Sequence, residues 1–394
     1  MAGKPMGTID PAQLAAELIR FPSVTPQDAG AIPHLARALE GLGFACETVE
    51  FAEPGTDKVL NLYARLGKTG RNFCFAGHTD VVPPGTLSGW SSGPFAAVQK
   101  NGALIGRGAA DMKGAIACFT AAVSRFVASR GRDFGGSISL LITGDEEAIA
   151  LNGTKKVLEW LKERGEKLDA CVVGEPTCAK ALGDTIKIGR RGSLNGTLTV
   201  RGVQGHTAYP QRADNAAHRL VAMLHALVST PIDQGSANFE FSNLQISTVD
   251  IGNPAANIIP DTARAVFNIR FNDQWTGQTL DRWVRDVLRK AGWRETDKLD
   301  IRVSGESFRV PPGEVSNALT EAVKRVTKLT PSLGTGGGTS DARFIQAYCP
   351  VAEFGLVGES AHKVDEQASL QDIENLTEIY RNFLELYFPG KAGR

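Results

Sequence analysis

The sequence lacks the marks of several common protein classes. Its six cysteines are scattered, with no C-x-x-C pair, which argues against a thiolate zinc site and against a disulfide framework. No stretch reaches the roughly eighteen uninterrupted apolar residues that a membrane helix needs. The N-terminal segment has no apolar run like that of a secretory signal, so the expected location is the cytoplasm.

Net charge, internal repeats and low-complexity tracts are absent as well. Lys plus Arg and Asp plus Glu both number 43, so no overall field draws the chain to nucleic acid or to an anionic membrane. Apolar residues make up 42% and charged residues 22%, which is ordinary globular usage. A chain of 394 residues is too long for one ordinary core, so two domains are expected.

The first half of the chain alternates β-rich segments with segments of helical period. The predicted elements are strands at 71–76, 137–143 and 170–173, and helices at 113–129 and 154–164. Such alternation is typical of a largely parallel sheet with helices on both faces. We therefore predict an α/β domain.

From about residue 192 the order of the elements changes. The sequence predicts a strand at 194–203, a helix at 215–228, strands at 239–249 and 262–271, a helix at 279–291 and a strand at 299–303. This β-α-β-β-α-β order is that of a ferredoxin-like sandwich. The α/β pattern then returns with a helix at 315–329, a strand at 351–356 and a helix at 370–387. We predict a catalytic domain of residues 1–191 and 305–394, interrupted by an inserted α+β domain of residues 192–304.

Polar residues gather where the predicted strands end. The segments are Gly77-His78-Thr79-Asp80, Gly144-Asp145-Glu146-Glu147, Gly174-Glu175-Pro176-Thr177, Asp111 at the end of a glycine-rich loop, and His362. In open α/β sheets the carboxyl ends of the strands form the ligand crevice. All five segments are therefore expected to converge there.

Two histidines and several carboxylates in one crevice would repel each other strongly unless cations neutralised the charge. Without thiolates, imidazole and carboxylate ligands suit zinc, cobalt or manganese, and two such ions could share one carboxylate. His78 and Asp80 project to the same side of an extended segment, so the Asp80 carboxylate is expected to hold the far nitrogen of His78. Adjacent Glu146 and Glu147 diverge, so one could bind metal while the other faces the water as general base.

The motifs together resemble those of the dizinc aminoacylase/carboxypeptidase family of metallopeptidases. They are G-H-T-D-V-V-P at 77–83, G-R-G-A-A-D-M-K-G at 106–114, G-D-E-E at 144–147, G-E-P-T at 174–177 and the late His362. Four further motifs are similar to those of family members that remove succinate from a diaminopimelate-type amine: L-N-G-T at 151–154, G-R-R-G-S at 189–193, N-I-I-P-D-T at 257–262 and G-G-T-S-D at 337–341. The resemblance covers almost the whole chain. It implies hydrolysis of N-succinyl-LL-2,6-diaminopimelate to LL-2,6-diaminopimelate and succinate, a step in lysine and diaminopimelate biosynthesis.

The resemblance also implies a role for each matching position. It implies two zinc ions, which cobalt or manganese could replace. His78 and Glu175 would hold one ion, Glu147 and His362 would hold the other, and Asp111 would bridge them. Glu146 would be the general base. The inserted domain would form a homodimer, in which His206 stabilises the oxyanion at the neighbouring chain's active site. The substrate-binding positions would be Arg190, Ser193, Tyr209, Asn257, Arg270, Gly338 and Thr339.

Other interpretations compete with these. Asp111 could be the N-cap of the helix that follows it. The glycine-rich segment 334–339 lacks the G-K-[ST] ending of a phosphate-binding loop, which argues against nucleotide binding. The nearest rival function is the same chemistry on another acyl group, such as N-acetylornithine deacetylation or dipeptide cleavage. A rival of another class is a catalytically silent, peptide-binding dimer, against which the complete ligand set and Glu146 argue.

Overall fold

The computed structural model describes residues 8–389, which form nine α-helices and nineteen β-strands. The helices are α1 (Pro11–Ile19), α2 (Ala31–Leu42), α3 (Lys113–Arg130), α4 (Thr154–Glu163), α5 (Ala216–Ser229), α6 (Gly277–Lys290), α7 (Glu314–Thr327), α8 (Ala342–Ile345) and α9 (Leu370–Tyr387). The strands are β1 (Ala45–Phe51), β2 (Val59–Leu66), β3 (Arg71–His78), β4 (Val98–Lys100), β5 (Ala103–Ile105), β6 (Gly136–Thr143), β7 (Ala170–Val173), β8 (Thr185–Lys187), β9 (Gly189–Arg190), β10 (Gly192–Arg201), β11 (Gly205–His206), β12 (Asn243–Asp250), β13 (Ile258–Ile259), β14 (Thr262–Phe271), β15 (Lys298–Gly305), β16 (Phe308–Arg309), β17 (Ser332–Gly334), β18 (Val351–Glu353) and β19 (Gln367–Ser369). None of these helices is both long enough and apolar enough to cross a membrane.

The described chain divides into two compact units. Unit 1 comprises residues 8–188, 310–334 and 340–389, and unit 2 comprises residues 189–309 and 335–339. Unit 1 contains an eight-stranded sheet in the order β1-β2-β6-β3-β7-β18-β8-β17. Its four central strands, β6, β3, β7 and β18, are parallel, whereas β1 and β2 add to the edge in antiparallel pairs. The predicted α/β class is confirmed.

The central strands are buried along almost their whole length. Every residue of β6 and β7 is buried, as expected for parallel strands covered on both faces. On β3, Phe75 stacks on Phe119 of α3 with ring centroids 4.3 Å apart, and Phe73 lies 4.8 Å from Phe383 of α9. This aromatic packing fixes α3, and with it the loop before α3, against the sheet.

Unit 2 contains a four-stranded antiparallel sheet in the order β12-β14-β10-β15. Along the chain these strands alternate with α5 and α6 as β10-α5-β12-β14-α6-β15, which confirms the predicted ferredoxin-like order. Residues of β14 alternate between buried and partly exposed positions, because only one face of the sheet is covered by the helices. Leu220 of α5, Val284 of α6 and Phe267 of β14 belong to the core between them.

The limits of unit 2 are wider than the predicted 192–304. Two-residue strands β9 and β16 pair in antiparallel fashion, which carries the unit out to Gly189 and Arg309. The segment 335–339 also belongs to unit 2, where the Thr335 hydroxyl donates to the carbonyl of Asn238. Arg190, Gly338 and Thr339 therefore lie in unit 2 rather than in the catalytic domain to which the sequence assigned them.

Candidate metal centre

The five predicted metal ligands lie in unit 1, at or beyond the carboxyl ends of its parallel strands or at the start of a helix. His78 ends β3, Glu147 follows β6, Glu175 follows β7, His362 follows β18, and Asp111 precedes α3. Parallel strands bring their carboxyl ends to one edge of a sheet, which is why residues so far apart in sequence meet.

The five side chains form two groups of three, with ligand atoms within 4.8 Å of one another in each group. One group is His78, Asp111 and Glu175, and the other is Asp111, Glu147 and His362. The two oxygens of Asp111 face different groups: Oδ1 lies 3.2 Å from Nε2 of His78, and Oδ2 lies 3.3 Å from Nε2 of His362. Nε2 of His362 is also 2.9 Å from Oε1 of Glu147. Asp111 is thus placed to serve both groups.

The electrostatics of this cluster favour added positive charge. Burial favours the neutral ring of His78, but the carboxylates of Asp111 and Asp80 outweigh it and raise the pKa of His78 well above its usual value. The carboxylates of Asp111 and Glu147 raise the pKa of His362 to about 10. Divalent cations bound among these side chains would supply the positive charge that the carboxylates favour.

The donor set fits metal ions. Nε2 of His78 and Oδ1 of Asp111 are buried, and neither atom makes a hydrogen bond. Two imidazoles and three carboxylates, with no thiolate among them, suit zinc, cobalt or manganese. The residues present can hold two ions that share the Asp111 carboxylate.

The Asp111 side chain does not cap the following helix. Helix α3 begins at Lys113, its N-cap residue is Met112, and no side chain makes a capping hydrogen bond there. The interpretation of Asp111 as a helix cap is therefore wrong, because its carboxylate is turned towards the two histidines.

Asp80 contacts its neighbours differently from the prediction. Nδ1 of His78 lies 2.9 Å from the backbone carbonyl of Asp80 and 3.6 Å from its carboxylate, so the carbonyl oxygen takes the hydrogen bond. The carboxylate instead accepts the backbone N–H groups of Glu146, at 3.3 Å, and Glu147, at 3.0 Å. Asp80 therefore orients His78 through its backbone and holds the Glu146–Glu147 loop through its side chain.

Glu146 and Glu147 occupy different environments. Glu147 belongs to the second group of ligands, whereas Glu146 belongs to neither group. Burial and the nearby charge of Glu175 raise the pKa of Glu146 well above its usual range, and Asp341 adds to the shift. A carboxyl group whose pKa lies above its usual range is suited to acid–base work.

Two acidic residues at this site had no role in the sequence-based interpretation. Asp145 is buried and accepts the backbone N–H groups of Leu151 at 2.8 Å and Asn152 at 2.9 Å, which shapes the loop after Glu147. Asp341 is buried and contributes to the raised pKa of Glu146. Both lie inside recognised motifs, G-D-E-E and G-G-T-S-D, and that position was the only sequence signal for them.

The predicted substrate-binding residues all lie in unit 2, where one set surrounds the start of β10. The Arg190 guanidinium donates to the carbonyl of Gly338 at 3.1 Å, and Thr339 follows Gly338 in the same segment. Ser193 of β10 lies directly opposite Arg270 of β14.

His206, Tyr209 and Asn257 form a second set in unit 2. The rings of His206 and Tyr209 contact each other edge to face, with centroids 5.7 Å apart. The backbone N–H of Thr207 donates to the carbonyl of Asn257 at 3.0 Å. His206 is exposed, and its Nδ1 accepts the backbone N–H of Ala208 at 3.0 Å.

Known proteins resemble this chain in sequence and in fold. Succinyl-diaminopimelate desuccinylase of Rhodospirillum centenum is 55% identical over 387 residues, which cover 98% of this chain and 99% of the relative. The enzyme of the same name from Parvibaculum lavamentivorans is 53% identical over 393 residues and 99% of each chain. The M20 family metallo-carboxypeptidase Sso-CP2 from Sulfolobus solfataricus has a TM-score of 0.80 at 17% identity, covering 96% of this chain and 99% of that one. Human carnosine dipeptidase 1 has a TM-score of 0.77 at 19% identity, covering 96% of each chain.

The structural likenesses, at below 20% identity, show the shared fold. The family itself follows from the sequence comparisons. The model of peptidase family M20/M25/M40 matches residues 74–386, a span that includes all five ligand positions and Glu146. With this match, and with relatives more than half identical over nearly the whole length, the chain belongs to peptidase family M20/M25/M40.

Proposed function

We propose that this protein hydrolyses N-succinyl-LL-2,6-diaminopimelate to LL-2,6-diaminopimelate and succinate. The observation that carries the proposal is the pair of ligand groups joined by Asp111, with Glu146 beside them. The names of the relatives from Rhodospirillum centenum and Parvibaculum lavamentivorans supply the substrate. The six free thiols fit a reducing compartment, so we place the reaction in the cytoplasm.

We propose zinc as the metal of both sites, with cobalt or manganese as substitutes. His78 and Glu175 would hold one ion, Glu147 and His362 the other, and Asp111 both. When bound, such ions polarise a carbonyl group and bring the pKa of water to about 7.

Glu146 is the proposed proton carrier. Its carboxylate takes a proton from the attacking water and gives it to the leaving amine as the amide bond breaks. Burial and the carboxylates around Glu146 raise its pKa, and cations held by those carboxylates would lower it again towards the range that a base needs. Asp80 keeps Glu146 in place through its hydrogen bond to the backbone.

The arginines of unit 2 are the proposed binding site for the substrate carboxylates. Burial and the nearby charge of Arg191 lower the pKa of Arg270, and Nη1 of Arg270 is buried without a hydrogen bond. Two guanidinium groups of like charge side by side favour an anion between them. Arginine suits this role because its planar fork binds a carboxylate with two hydrogen bonds.

A homodimer through unit 2 is proposed from its exposed apolar side chains. Val221 and Val228 of α5 are 59% and 55% exposed, and Val249 of β12 is 49% exposed. Strand β12 is also an edge of the four-stranded sheet, where backbone groups are open to a second chain. A two-fold interface would cover both features at once.

His206 is the proposed donor to the oxyanion of the neighbouring chain's substrate. Because its Nδ1 accepts a backbone N–H, the neutral ring carries its proton on Nε2. That nitrogen can then donate to a developing negative charge.

The test compares two substrates on one zinc-loaded preparation. We expect succinate release from N-succinyl-LL-2,6-diaminopimelate and much slower acetate release from N-acetylornithine. A preference for N-acetylornithine would assign the same chemistry to another acyl group. No hydrolysis of either compound by metal-saturated protein would reject the proposed reaction.

A further inference from the structure

One buried carboxylate outside the ligand set connects the loops that carry the ligands. Glu366, four residues after His362, is fully buried. Its Oε1 accepts three backbone N–H groups, those of Gly108, Ala110 and Asp111, each at 3.0 Å. The last of these belongs to the bridging ligand itself, so Glu366 fixes the backbone from which the Asp111 side chain departs.

The second oxygen of Glu366 binds a buried arginine. Oε2 accepts a hydrogen bond of 2.7 Å from Nη1 of Arg107, whose side chain is 2% exposed. The same guanidinium donates to the carbonyl of Lys363 at 3.1 Å and to that of His362 at 3.4 Å. It also reaches the carbonyl of Pro83 at 3.4 Å, in the loop that follows His78. Three ligand-bearing loops therefore meet at one ion pair.

We propose that Glu366, through Arg107, is a positioning residue of the metal centre. It sets the position of the Asp111 carboxylate relative to the imidazoles of His78 and His362. This inference rests on the proposed metal sites, because it concerns how tightly the centre holds its ions. Glu366 belongs to neither group of ligand residues.

The physical reason is the number of groups that converge on one oxygen. Three N–H groups pointing at the same place need an acceptor with full negative charge, and Arg107 balances that charge in the buried surroundings. A glutamine in place of Glu366 keeps the shape of the side chain but turns an NH2 group towards Arg107. Two hydrogen-bond donors then face each other with no acceptor between them. The loop must then shift, and metal sites tolerate errors of only a few tenths of an ångström in ligand position.

Unit 2 offers a matched control. Asp297 is buried, pairs with Arg219, and accepts the backbone N–H groups of Arg201 at 3.0 Å and Arg294 at 2.8 Å. Asp297→Asn therefore breaks an ion pair of the same kind in the unit that holds none of the five ligands. Both variants are expected to lower the melting temperature. A change in zinc binding that only Glu366→Gln shows is therefore an effect on the metal centre and not a result of general destabilisation.

The experiment measures zinc dissociation constants of the full-length wild-type, Glu366→Gln and Asp297→Asn proteins by competition with a chromophoric chelator. We expect the constants of Glu366→Gln to rise about 10- to 100-fold, the usual effect of losing a group that orients metal ligands, and those of Asp297→Asn to stay within twofold. The visible spectrum of the cobalt-loaded protein should also change in Glu366→Gln and stay unchanged in Asp297→Asn.

Unchanged zinc constants and an unchanged cobalt spectrum in folded Glu366→Gln would overturn the inference, as would equal weakening in both variants. If Glu366→Gln does not fold by circular dichroism, Glu366→Asp decides, because it keeps the charge but withdraws it by one methylene from the three N–H groups. It too must bind zinc more weakly, and wild-type affinity would overturn the inference. Wild-type protein that binds no zinc would instead reject the proposed metal sites.

Discussion

The carboxylate of Asp80 accepts the backbone N–H of Glu147 at 3.0 Å, so a residue after β3 fixes the loop that follows β6. The same carboxylate accepts the N–H of Glu146, and Asp80 is fully buried. One side chain thereby sets the positions of the proposed base and of a proposed ligand.

We expect Asp80→Asn to lower kcat/KM about 10- to 100-fold and to weaken zinc binding, because an amide offers one acceptor oxygen where two N–H groups need one each. Steady-state kinetics and a chelator competition measure both effects. Asp184→Asn is the control, since Asp184 likewise accepts the backbone N–H groups of a loop, at Ala179, Lys180 and Ala181, but touches no ligand residue. Equal losses in the two variants would contradict a specific role for Asp80.

Glu146→Gln is expected to abolish turnover while the protein keeps its metal. The amide has the shape of the carboxylate but cannot accept the proton of the attacking water. A loss of about 10³-fold or more in kcat, with metal content within 20% or so of wild type by elemental analysis, is the expected result. Loss of metal would mean that Glu146 and Glu147 exchange roles, and near-normal turnover would remove Glu146 from the mechanism.

Stability at low pH should depend on Asp233 of unit 2. Burial opposes ionisation, but hydrogen bonds from Ser242, Gly235 and Trp275 outweigh it and lower the pKa of this carboxyl group below its usual value. A lowered folded-state pKa gives stability that is present above the unfolded-state value of about 4 and is lost as the pH falls through the folded-state value.

We therefore expect Asp233→Asn to melt a few degrees below wild type at pH 7, since a hydrogen bond to a charged group contributes about 1.5–3 kcal/mol and the side chain is partly exposed. Thermal melts followed by circular dichroism at pH 7 and pH 3 measure the difference. It should shrink at pH 3, because the stabilisation is lost progressively once the pH falls below the unfolded-state pKa of about 4. A gap that widens on acidification would contradict the sign of this shift.

His206 is expected to act across the proposed dimer, which a complementation experiment tests. Co-expression of a Glu146→Gln chain with a His206→Ala chain gives mixed dimers in about half of random pairings. Each mixed dimer combines an intact Glu146 with an intact His206 in one of its two sites, so about a quarter of wild-type activity should return. Verified mixed dimers without activity would show that His206 works within its own chain.

The long, strongly patterned elements of the fold could be predicted from the sequence. Strands β3, β6 and β7 and helix α3 lie within a few residues of their predicted limits. Runs of β-forming residues mark the strands, and a helical spacing of apolar residues marks the helix. The edges of the insertion could not be predicted, since β9 and β16 have two residues each and exist only because they pair with one another. Strand β1, at one edge of the sheet, and its neighbour β2 were also missed.

The ligand residues of the site could be predicted because their chemistry lies in their side chains and motifs. The hydrogen-bond partners of the Asp80 and Glu366 carboxylates could not be predicted. Both act mainly on backbone N–H groups of other loops, Asp80 at Glu147 and Glu366 at Gly108 and Ala110. Backbone N–H groups are the same in every non-proline residue, so no sequence pattern marks the partner.

One carboxylate, that of Asp111, is proposed to serve two metal ions in each chain. Elemental analysis of wild-type protein, saturated with zinc and then freed of unbound metal, counts the ions that each chain retains. The two ligand groups that share Asp111 predict two zinc ions per chain. A stoichiometry that stays at zero or one with zinc in excess would rule out two metal ions bridged by Asp111.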